Sequence, residues 1–133
     1  MAARAVRGFA LVPAIFLMVV LASLAAFAIR LNLAEQQTVD LALLGARGLA
    51  AANTGIEWGA YRALNGTCSG GTLTLTEGAL AGFTVAVTCT SAATAEGAGT
   101  VSAYTVEAVA TTGTYGQPGY VRRRIRTTLA QGS

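Results

Sequence analysis

From Phe9 to Ile29 the chain runs through 21 residues without a charge, and only Pro13 and Ser23 break its apolar character. At helical rise this is about 31 Å, enough to cross the hydrocarbon core of a bilayer. Arg4 and Arg7 precede the run and Arg30 closes it. That flank predicts a cytoplasmic start and a translocated domain beyond Arg30. Three devices produce such a pattern: a cleaved secretory signal, a permanent membrane anchor, or a helix that changes its solvent during its life. The run is longer than an ordinary signal's apolar region, although "ASLAA" inside it mimics a cleavage site.

No turn signal separates this run from the next stretch of chain. "RLNLAEQQTVDLALLGARGLAAANTGIEWGAYRAL" lacks proline and is rich in good helix formers. Leu49, Ala52, Ile56, Ala60 and Ala63 recur at three- and four-residue steps, predicting one apolar stripe. Gly45, Gly48, Gly55 and Gly59 weaken the helix but permit a close neighbour. The pattern predicts one helix of about fifty residues, its first half suited to lipid and its second half lying on a domain. Trp58 has two readings, packing within the domain or contact with another subunit, and packing is preferred.

After Leu64 the periodicity changes. "NGTCSGG" reads as a loop, and four strand candidates come after it: "TLTLT", "FTVAVTCT", "AYTVEAVATT" and "YVRRRIRTTL". "EGALAG", "SAATAEGAG" and "GTYGQPG" between them read as turns or loops. On the second strand Phe83, Val85, Val87 and Cys89 share the apolar face. The expected fold is α+β: a long N-terminal helix, part transmembrane and part amphipathic, on a small antiparallel β-sheet.

Composition sharpens this picture. Hydrophobic residues make up 53% of the 133, but much of that is alanine, so the core of the β-rich part must be thin. Cys68 and Cys89 lack CxxC spacing, and the chain has no histidine to share a metal. In a chain directed to a membrane they are expected to form a disulfide in an oxidising compartment. It would pin the sheet to the helix terminus. No metal or other cofactor is expected.

Arginine supplies all nine basic residues, and four of them fall in "YVRRRIRTTL". Alternation sets Arg122, Arg124 and Arg126 on the side opposite Val121, Ile125 and Leu129. A solvated strand face is favoured over a nucleic-acid site, so no nucleic-acid partner is expected, while the three arginines stay open as an anionic contact patch. A Ser-His-Asp or Cys-His arrangement is impossible without histidine, and no HExxH or phosphate-binding loop occurs. An enzyme is not expected.

"RGFALVPAIFL" resembles the N-terminal signal of type IV pilins and type II secretion pseudopilins. Together with "GARGLAAANTGIEWGAYRAL" and a cysteine soon after the helix, it is most similar to the MshP family, minor pilin-like proteins of the mannose-sensitive haemagglutinin (MSHA) pilus. The resemblance covers roughly residues 4 to 68. It implies a leader at 1–8, cut between Gly8 and Phe9 by a prepilin peptidase, with N-methylation of Phe9. Residues 9–30 would then form the transmembrane and filament-core helix, 31–65 its amphipathic half, and 66–133 a periplasmic β-rich domain. It also implies storage in the bacterial inner membrane as a single-pass protein held by residues 9–29, before transfer to a filament. The implied partners are other minor pilins, the major pilin and the inner-membrane assembly platform.

One position departs from the family's usual pattern. The fifth residue after the cut is usually glutamate, thought to pair with the free amino terminus of the subunit ahead, and here it is Pro13. Two explanations stand: a subunit at the filament tip, which has no such partner, or a plain anchor that never polymerises. The tip is preferred. Alternatives in function are a tip-displayed or membrane-anchored binding module and a minor pseudopilin of a type II secretion system.

Overall fold

The computed structural model describes residues 9–132. The element order is α1 (Leu11–Leu64), β1 (Gly71–Thr74), β2 (Thr84–Glu96), β3 (Gly99–Thr112) and β4 (Val121–Gly132). The expected α+β class is observed. One long helix packs, through its C-terminal part, on a four-stranded antiparallel sheet of order β1-β2-β3-β4. Two compact units divide the chain, one reaching to Asp40 and the other starting at Leu41.

In the first unit α1 is long and apolar enough to cross a membrane, and none of its apolar window is buried. Phe16, Leu17, Met18, Leu21, Leu24 and Phe27 all stand largely exposed. The one hydroxyl within the apolar run is satisfied internally: Ser23 Oγ donates to the Val19 carbonyl at 2.8 Å. In hydrocarbon an unpaired polar group costs several kcal/mol, so this bond makes the segment compatible with lipid.

In the second unit α1 covers one face of the sheet. The core consists of Ala51, Ala52, Phe83, Val85, Val87, Val106, Ala108 and Ala110, and the largest fully buried side chains are two valines. A layer this thin forms only if helix and sheet approach closely. Glycine makes that approach possible. A Cβ at Gly55 would lie 2.5 Å from Val85 Cγ1, and one at Gly59 would lie 2.6 Å from Val106 Cγ1. The expected stripe is corrected accordingly: the buried face is Gly45, Gly48, Ala51, Ala52, Gly55, Gly59 and Ala63, while Leu49 is 49% exposed. A leucine cannot occupy a gap sized for hydrogen.

The helix stops where the sequence changes. Gly66 adopts φ +87°, and the Thr67 N–H donates to the Arg62 carbonyl while the Gly66 N–H donates to that of Ala63. This is a Schellman closure, which satisfies carbonyls the last turn would leave open. Arg62, in that last turn, lies 4.6 Å from the Trp58 ring centroid.

The strand boundaries differ from expectation, most at β1 and in the β2–β3 hairpin. "TLTLT" shortens to β1 at Gly71–Thr74, and Ser91–Glu96, expected as loop, instead extends β2 against Tyr104–Gly99 of β3. Gly97, at φ +61°, and Ala98 close this hairpin; Ala98 is not at positive φ, so the turn is type II′. "EGALAG" contains one 3-10 turn, Gly78–Leu80.

Candidate functional site

Three places carry the residues that the sequence singled out. The first is the start of α1. The expected cut falls between Gly8, which lies outside the described residues, and Phe9, which is 81% exposed in the turn ahead of the helix. Pro13 is the third residue of α1. Its missing N–H removes nothing there, because the first four amides of a helix have no partner within it. Regular bonding begins at once, with the Ala14 N–H donating to the Ala10 carbonyl at 3.2 Å. No acidic residue stands in this first turn.

The second place is the end of the helix. Cys68 and Cys89 form a disulfide with Cα atoms 5.3 Å apart. Cys68 follows the helix end at Leu64 by four residues, and Cys89 is half-buried against the core at the middle of β2. The bridge therefore ties the chain leaving α1 to the strand beneath it, as the apolar-face position of Cys89 implies. Trp58 also packs here, its ring against Gly71 at the start of β1, which supports the packing reading.

The third place is β4. Its register with β3 sets Arg122 opposite Thr111, Arg124 opposite Val109 and Arg126 opposite Glu107 on the outer face. Arg123 lies on the other face, where its stem and guanidinium reach Gly48 and Gly45 of α1. Alternation in the sequence thus separates the arginines correctly. It missed Glu107, whose carboxylate oxygens lie 3.5 Å from Arg124 Nε and 3.7 Å from Arg126 Nε. That partner sits on another strand, and only the hairpin register brings it into place. Among the described residues no three His, Cys, Asp or Glu side chains gather where a metal ion could be held.

No family model matches the chain, and no curated protein or solved structure matches it.

Proposed function

We propose that this chain is a minor pilin-like subunit of an MSHA-type type IV pilus, acting at or near the tip to start or cap the filament. In this reading the prepilin peptidase removes residues 1–8 and Phe9 becomes the N-methylated end. The precursor waits in the inner membrane through residues 9–29 with its disulfide-bonded domain in the periplasm. The assembly platform then moves α1 from lipid into a bundle of like helices with the other minor pilins and the major pilin.

The observation that carries the reading is the passage from "RGFALVPAIFL" into a helix unbroken to Leu64. A segment exposed and apolar over its first part suits both lipid and a helix bundle, so exchanging one for the other need not oppose assembly strongly. Pro13 supports a terminal place, since without a carboxylate it cannot reach back to a preceding subunit's amino terminus. An intramembrane carboxylate is worth having only where it finds that partner.

Deletion of the chain should sharply reduce the number of filaments, and immunogold labelling should place it at filament ends. A P13E variant should weaken initiation or spread the label into the shaft. Normal filament numbers on deletion, or even shaft labelling unaltered by P13E, would remove the tip assignment. The exposed arginines of β4 favour a second reading, a tip-displayed adhesion module. It predicts normal filaments that have lost attachment.

A further inference from the structure

We infer that β4 is a docking edge for an extended acidic segment of another protein, which adds to the sheet as a fifth strand. This does not rest on the filament reading. β4 ends the sheet: β3 pairs along its whole length on one side, and among the described residues no strand pairs on the other. An edge strand of twelve residues presents a row of N–H and C=O groups that can template another chain.

The side chains define what that chain must carry. Arg122, Arg124 and Arg126 stand on the outer face at every second residue, about 6.8 Å apart along the strand. Among the described residues Glu107 is the one carboxylate paired with them, shared between Arg124 and Arg126, whose side chains remain 57% and 70% exposed. Three positive charges therefore face one negative charge. A guanidinium offers a planar fork of donors suited to carboxylate, and an incoming strand places its own side chains with the same period of two. Carboxylates at alternate positions would meet the arginines. The intervening residues would extend the opposite face, beside half-buried Val121, Ile125 and Leu129.

Two other occupants fit less well. A phosphate-bearing surface, whether lipid or nucleic acid, would answer the arginines but leave the carbonyls of the edge without donors. A polypeptide supplies both donors and acceptors. Nor can a second copy of this chain provide the pattern. Its acidic residues are Glu35, Asp40, Glu57, Glu77, Glu96 and Glu107, and no two are two residues apart. Arginines on an edge also discourage non-specific pairing, and the same charges thereby select for an acidic strand.

The probe is a short synthetic peptide alternating glutamate with valine, added to the full chain in detergent micelles. Saturable, salt-sensitive binding is expected, with slowed amide exchange across Val121–Gly132. Affinity should fall about tenfold or more in an R122Q/R124Q/R126Q variant. With the unaltered protein, methylating alternate backbone nitrogens of the peptide should abolish binding, because charge is kept while strand hydrogen bonds are lost. The inference is overturned by absence of binding, by equal binding of the methylated peptide, or by unchanged affinity in the triple variant. It is also overturned if β4 is protected without peptide in a concentration-dependent way, or if polyphosphate or anionic vesicles bind in the peptide's place.

Discussion

A methyl group at Gly55 would sit 2.5 Å from Val85 Cγ1 and 2.9 Å from Ala108 Cβ, both parts of the packed core. At Gly45 the nearest atom, at 2.9 Å, is Arg123 Nη2, the free end of a long side chain. Alanine improves helix propensity by about 1 kcal/mol at either position, but forcing bulk into a packed layer costs about 1–3 kcal/mol. The two substitutions therefore have opposite signs. Gly45→Ala should raise stability by about 0.5–1 kcal/mol, and Gly55→Ala should lower it by about 1–2 kcal/mol. Urea titration in detergent, read by the single Trp58, distinguishes them; a midpoint raised by both substitutions would refute the close approach of helix and sheet. These glycines show how far the sequence could be read. Their spacing admitted a close neighbour, but only the valines across the gap reveal that the seam runs through glycine and alanine instead of Leu49.

Among the elements, the helix was the most legible, because an unbroken series of helix formers and the absence of proline between Pro13 and Asn65 leave nowhere to stop before Asn65. The four strands and their antiparallel pairing were also legible. The extension of β2 through Ser91–Glu96 was not, for two reasons. Alanine and serine carry little strand preference of their own. With every residue from Ser91 to Glu96 exposed, no alternation of apolar and polar remains to be seen. Pairing with β3 alone makes this segment a strand. The cysteine pair could be read because no competing thiol or histidine exists, whereas Glu107 between the arginines could not, since it depends on register across a turn. The bridge closes a loop of 21 residues in a domain with a thin core. A C68S/C89S variant should therefore lose about 2–4 kcal/mol by the loss of loop closure. Its urea midpoint should fall well below that of the oxidised protein, and coincident midpoints would show that helix–sheet packing alone holds the unit.

At the scale of the whole molecule, a helix with an exposed apolar surface from Leu11 onward gains by leaving water, since each large side chain hidden from it is worth about 1.5–3 kcal/mol. Lipid hides that surface, and so does a bundle of similar helices. We propose that the chain uses both in turn, and that the step between them depends on freeing the amino terminus at Phe9. Mass spectrometry of the protein isolated from its native envelope and from sheared filaments reads this directly. We predict a chain that begins at Phe9 with an added methyl group, present in the filament fraction. A chain still carrying residues 1–8, confined to the membrane and absent from filaments, would contradict the filament role.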